Sequence, residues 1–307
     1  MGAWRLSPEG QDHMRNNIPM SKDLDARLAK AHGSDAASTL VELGCDLSDA
    51  GRHHDAEFCF RRALALGEDW VLFNVGNELM AQGRPEEAVH AHQAAIAAGE
   101  SDAWLNLGQC LEGLGDLAGA MNAYRHADQS GDKNGALSLA YMLREQGEDD
   151  EAERLAQRGA SLGNLQAVGA AACWAYDRTH DPALEHDLRR GAEHYPSART
   201  DLAEILRETG RIEQAREELT RGANLGECDS WLPLGNLLSD DLGDLDAAED
   251  AYRAGIAAGD RNCHNNLGSL LLERDDMAGA EEHFREGARL GDQLAARALR
   301  ELLDDKD

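Results

Sequence analysis

Apolar residues in this chain recur at the three- and four-residue spacing of a helix face, in short runs that stop at glycine and start again. Two stretches carry nearly the same text: LNLGQCLEGLGDLAGAMNAYRHADQSGD from Leu105 and LPLGNLLSDDLGDLDAAEDAYRAGIAAGD from Leu232. The glycine of the first serves as a ruler. A small residue occupies its slot at Gly44, Gly76, Gly108, Ala140, Ala172, Ala203, Gly235 and Gly268, in steps of 31 to 33 residues. A second small row follows twelve residues later, thirteen in the seventh unit: Ala56, Ala88, Ala120, Ala152, Leu184, Ala215, Ala248 and Ala280. A third follows seven further on, from Ala63 to Gly287. Small residues let helix backbones approach closely. Phe60, Tyr124, Leu188, Leu219, Tyr252 and Phe284, four after the second row, fill the gaps between them.

The breaks agree with this reading. Gly51, Gly83, Gly115, Gly147, Gly210 and Gly243 fall between two apolar-periodic runs, where a helix end favours positive φ. Asp116 and Asp244 follow at once and can cap the next helix, and Pro85 suits a first helical turn. A second glycine set, Gly67 to Gly291, closes each unit. The pattern predicts an all-α chain of about eight helix pairs, each a helix A, a tight turn, a helix B and a tight turn, over residues 36–294. Residues 21–35 are expected to form an N-terminal capping helix, and 295–307 a C-terminal capping helix with an acidic tail. Residues 1–20 are expected to be a flexible segment. The fifth unit, 167–197, lacks both turn glycines.

Trp104, Leu107, Gly108, Ala120, Tyr124 and Ala127 resemble the tetratricopeptide (TPR) pattern, and Trp231, Leu234, Gly235, Ala248, Tyr252 and Gly255 repeat most of it. The period is near 32 instead of 34, and the closing proline is usually glycine, which is similar to SEL-type repeats. Only Pro196 stands where that proline belongs. The resemblance implies a right-handed α-solenoid whose A helices line a concave face along which partner peptides lie.

Composition narrows the partners. Acidic residues number 58 against 30 basic ones, a net charge of −28, which repels phosphate backbones and anionic lipid; nucleic acid and membrane are therefore not expected partners. The six cysteines form no Cys-x-x-Cys pair and read as free thiols in a reducing compartment. No apolar run reaches the roughly 18 residues of a membrane span, and the N-terminus lacks a signal-peptide core. A cytoplasmic location is expected.

Reaction chemistry finds little support. There is no Gly-rich phosphate loop, Gly-x-Ser-x-Gly elbow or His-Glu-x-x-His. His92 occupies the slot of Tyr124 and Phe284, so it reads as a core residue, and His186 and His194 lack a third metal ligand. No cofactor or metal is expected.

The remaining site is the A-helix face implied by the resemblance. Positions two before and one after the ruler would face the groove, and amides recur there: Asn74, Asn77, Asn106, Gln109, Asn236 and Asn266, with Tyr141 in the same row. An amide both donates and accepts, so it can pair with a peptide main chain or with the neighbouring A helix. The row resembles the asparagine ladder in the repeats of O-GlcNAc transferase, broken across units four to six. Five residues after the ruler stand Asp49, Glu145, Asp177, Glu208, Asp240 and Glu273. The dipole at a helix C-terminus disfavours each by about 0.3–1 kcal/mol. Such carboxylates meet a cation, pair with arginines such as Arg144 and Arg207, or form a solvated acidic rim. The expected function is a non-enzymatic scaffold that binds a basic or neutral protein segment along an acidic groove. A peptide-sensing regulator is the alternative, and an enzyme is the weakest of the three readings. Oligomeric state is left open.

Overall fold

The computed structural model describes residues 20–31, 33 and 36–304. The expectation for residues 1–20, apart from Met20, and that for the final acidic residues, 305–307, lie outside these. The described residues are helical, with no strand among them. They divide into two compact units, the first ending at Leu162 and the second starting at Gly163.

The first unit opens with α1 (Met20–Ala31) and continues with four helix pairs. These are α2 (Ala37–Asp49) with α3 (His53–Ala65), and α4 (Leu72–Ala81) with α5 (Pro85–Ala97). Then come α6 (Ala103–Gly113) with α7 (Leu117–Gln129), and α8 (Lys133–Glu145) with α9 (Asp149–Ser161). Leu24 and Ala31 bury α1 against the core shared by the first pairs.

The second unit holds α10 (Leu165–Thr179) with α11 (Glu185–Gly191), and α12 (Ser197–Glu208) with α13 (Ile212–Leu225). They are followed by α14 (Trp231–Asn236) with α15 (Leu245–Ala258), α16 (Cys263–Glu273) with α17 (Met277–Arg289), and a last helix, α18 (Gln293–Asp304). The expectation of about eight helix pairs matches this order.

The ruler glycines explain the pairing. A Cβ on Gly108 would stand 2.4 Å from Tyr124 Cε1, so the ring of helix B lies directly on the backbone of helix A. The same contact joins Gly44 to Phe60, Gly76 to His92, Gly235 to Tyr252 and Gly268 to Phe284. All five rings are buried. The third small row serves the joint to the next pair: Ala127 meets Gly135, Gly255 meets Cys263, and Gly287 meets Ala295.

The turns follow the sequence. Gly115, at φ +81°, is in the left-handed region that ends α6, and the Asp116 carboxylate then accepts from Gly119 N–H at 2.9 Å to start α7. Asp244 caps α15 in the same way. In the fifth pair, where turn glycines are missing, His180 takes the left-handed conformation at φ 49°. There α11 is only seven residues long, and Gly169 and Gly191 bring the two helix backbones into contact.

The thirteen-residue spacing of the seventh unit also has a structural counterpart. Helix α14 widens into a π turn over Leu237–Asp241. The extra residue is absorbed there, and Tyr252 still reaches Gly235.

Candidate functional site

Each unit has its own A-helix face, built from α2, α4, α6 and α8 in the first and from α10, α12, α14 and α16 in the second. Their side chains fall into three sets.

The first set, two residues before the ruler, points at the preceding A helix. Asn106 Nδ2 donates to Asn77 Oδ1 at 2.5 Å, and Asn266 Nδ2 donates to Asn236 Oδ1 at 2.6 Å. In each case the position before the ruler in one repeat bonds the position after it in the repeat before. The amides thus tie neighbouring A helices together, as the second sequence reading of them allowed. Asn236 also accepts from the Tyr252 hydroxyl at 2.8 Å. Asn74 does not belong on an accessible face: it is fully buried.

The second set, one residue after the ruler, is more open. Gln109 is exposed, and Asn77, Tyr141 and Asn236 are half-buried. The Asn77 Nδ2 is buried without a hydrogen-bond partner among the described residues.

The third set is the carboxylate row. Asp49, Glu145, Asp177, Glu208, Asp240 and Glu273 are all exposed. Asp240 lies 3.7 Å from Arg207, the arginine pairing anticipated from sequence. Arg144 turns instead toward Asp149, at 3.9 Å. Among the described residues, no arginine or lysine is within ion-pair distance of Asp49, Glu145, Glu208 or Glu273.

Sequence reasoning missed two features of the second unit. One is a cavity of about 240 Å3 on the A-helix side of α12 and α14. Asp201, Glu204 and Arg207 form one wall, and Leu232, Pro233 and Leu237 the other. Burial, with the charges of Asp177 and Glu204, pushes the Asp201 carboxyl up to about 6. The other is Arg199, fully buried near the start of α12. Its guanidinium donates to Glu218 at 2.8 Å, Glu227 at 3.0 Å and the Ala192 carbonyl at 3.0 Å. Arg199 stands four residues before the ruler residue Ala203, the slot that Trp104 and Trp231 fill in their repeats, and that register was the one signal for it.

No group of three or more His, Cys, Asp or Glu side chains is placed to hold a metal ion among the described residues. All six cysteines are free thiols, and five are buried. No helix among the described residues is long and apolar enough to cross a membrane.

Helix pairs with this spacing and these ring-on-glycine contacts form a helical repeat array whose fold is similar to that of tetratricopeptide proteins. A family model for the tetratricopeptide repeat matches residues 74–135 and 239–295. No curated protein matches the chain. Among solved structures, the chain is similar to the Sel1 repeat protein from Oxalobacter formigenes: 19% identity over 92% of this chain and 94% of that one, TM-score 0.63. It is also similar to a chain of the APC/C hetero-tetramer Cut9-Hcn1, at 15% identity and TM-score 0.58, covering 92% of this chain and 59% of that one. A third match is c5321, a protective antigen of uropathogenic Escherichia coli strains displaying an SLR fold, at 18% identity and TM-score 0.51, covering 91% of this chain and 74% of that one. These likenesses establish the fold, and both the TPR and the SEL-type resemblance are borne out.

Proposed function

We propose that the chain is a non-enzymatic scaffold whose A-helix face holds a protein segment of basic or neutral character. The observation that carries this reading is the unpaired carboxylate row. Asp49, Glu145, Glu208 and Glu273 stand exposed at helix C-termini, where the macrodipole disfavours them, with no basic partner among the described residues. Chain stability alone would select lysine or arginine at those places. A cationic partner segment would offset that cost on binding and would be steered by the net charge of −28. The orphan Asn77 amide and the exposed Gln109 supply main-chain pairing of the kind an extended segment offers. Assembly with other proteins is also what one structural neighbour's description as a hetero-tetramer records.

Photo-crosslinking residues placed at Gln109 and Ser269 on the A-helix face, and at Arg125 and Glu217 on exposed B-helix surface, test the reading. The two A-helix positions are expected to capture the same protein from lysate, and the purified pair to bind more weakly as salt rises. Capture confined to the B-helix positions would refute the scaffold face. Affinity unchanged between low and high salt would refute the electrostatic part.

A further inference from the structure

The cavity beside α12 and α14 carries more than a general acidic surface. It has one carboxylate wall and one apolar wall. Asp201 and Glu204 lie one turn apart on α12, and Leu232, Pro233 and Leu237 face them from α14. Thr200 and Asn236 also line the cavity, and Arg207 is already committed to Asp241 at 2.5 Å and Asp240 at 3.7 Å, so its charge is spoken for within the wall. Asp201 Oδ2 is buried without a hydrogen-bond partner among the described residues, although the Cys173 thiol bonds the same carboxyl group. The Tyr176 hydroxyl, on a residue only 2% exposed, is likewise buried and unpartnered. Burial, with the charges of Glu204, Glu208 and Asp201, pushes its pKa up.

A buried carboxylate oxygen in want of a donor, in a slot with an apolar side, describes a receptor for a long side chain with a cationic tip. The π turn at Leu237–Asp241 adds a second sign. It is the one place in the described A helices where the helix widens, and it supplies Leu237 to the cavity and Asp240 and Asp241 to hold Arg207. Such turns cost helix regularity and persist mostly where a site uses them.

We infer that this cavity is the anchor pocket for a single lysine side chain of the bound segment, its methylenes on Leu232, Pro233 and Leu237 and its ammonium on Asp201 and Glu204. The inference rests on the scaffold reading of the A-helix face and names one contact within it. An ammonium there would give Asp201 Oδ2 the donor it lacks. It would also favour the ionised carboxylate. Asp201 is faced by Cys173 and Asp177 from α10 and by Glu204 and Arg207 on its own helix. Burial and the acidic neighbours hold its carboxyl near 6, so this carboxylate is largely ionised at pH 7.5 and largely protonated at pH 5.

The test uses the intact protein with leucine methyl groups labelled for NMR, because Leu219, Leu232 and Leu237 line the cavity. The probes are three acetylated, amidated peptides Gly-Ser-X-Ser-Gly with lysine, norleucine or glutamate at X. The lysine peptide is expected to shift the Leu232 and Leu237 methyl signals saturably. The norleucine peptide should bind at least tenfold more weakly, and the glutamate peptide should leave the signals in place. Lowering the pH from 7.5 to 5 should weaken the lysine peptide about tenfold, and Asp201→Asn by at least as much, with the remaining methyl signals unmoved as evidence of an intact fold. Equal binding of lysine and norleucine, indifference to Asp201→Asn, or no saturable shift would overturn the pocket. A protein that captures its partner through Gln109 and Ser269 but ignores the lysine peptide keeps the scaffold reading and loses the anchor.

Discussion

His92 sits where the other repeats place a phenyl or phenol ring, and replacing it with phenylalanine separates packing from charge. The imidazole is fully buried against Gly76, with its ring 6.0 Å from Phe73, and neither ring nitrogen has a hydrogen-bond partner. A buried polar group left unsatisfied costs about 1–3 kcal/mol. Phe60 and Phe284 occupy the same slot over Gly44 and Gly268, so the fold already accepts the larger ring there. His92→Phe should therefore stabilise the second helix pair by about 1–3 kcal/mol at pH 7.5.

The effect should grow in acid. Burial pushes the His92 imidazole from 6.5 down to about 4. Because the folded value is depressed for a base, the neutral ring is the one the fold accepts. Stability is complete above pH 6.5 and falls as the pH drops from there to about 4, by about 3 kcal/mol in all. About 2 kcal/mol of this should be lost by pH 5. Phenylalanine does not titrate, so the gap between variant and parent should widen by that amount. Amide hydrogen exchange of α4 and α5 at pH 7.5 and pH 5 reads the local opening free energy without assuming that the whole array unfolds at once. A variant less stable than the parent at pH 7.5, or a gap that does not widen at pH 5, would refute the reasoning.

Two further outcomes test the packing. Gly108→Ala should destabilise the third pair by about 1–3 kcal/mol, because the new methyl collides with the Tyr124 ring. That ring is pinned by its hydroxyl bond to Glu112 at 2.5 Å. Gly113→Ala, at the open end of the same helix with nothing within 4 Å, should raise stability by up to about 1 kcal/mol; urea midpoints of the two variants should move in opposite directions. Arg199→Met should cost about 2–3 kcal/mol at neutral pH by leaving Glu227 and Glu218 together without their cation, discounted because both remain partly exposed. Thermal melts of variant and parent at neutral pH would show the loss.

Much of the architecture could be read from spacing because every small row does one steric job. Gly108 needs Tyr124 at a fixed offset, and that offset recurs wherever a ring must lie on a backbone. The seventh-unit insertion was visible as thirteen residues in place of twelve, although only the structure locates it in a π turn. The face was harder to read. Spacing gave a direction for each side chain but not how its neighbours cover it, so Asn74, which is fully buried, was placed on a surface it does not reach. Asn106 and Asn266 were in the right row, but their bonds run to Asn77 and Asn236. The anchor cavity and Arg199 depend on contacts between residues about 20 to 35 positions apart, and no local pattern encodes them.

The widened turn of α14 also bears on how such a chain can change length. A one-residue insertion in a regular helix rotates everything beyond it by about 100° and would strip the next repeat of its seat. Here the surplus is confined to five residues, and the ring of Tyr252 finds its glycine as if nothing had been added. Sequence drift in this array can therefore remodel one bay of the surface while every downstream joint keeps its phase.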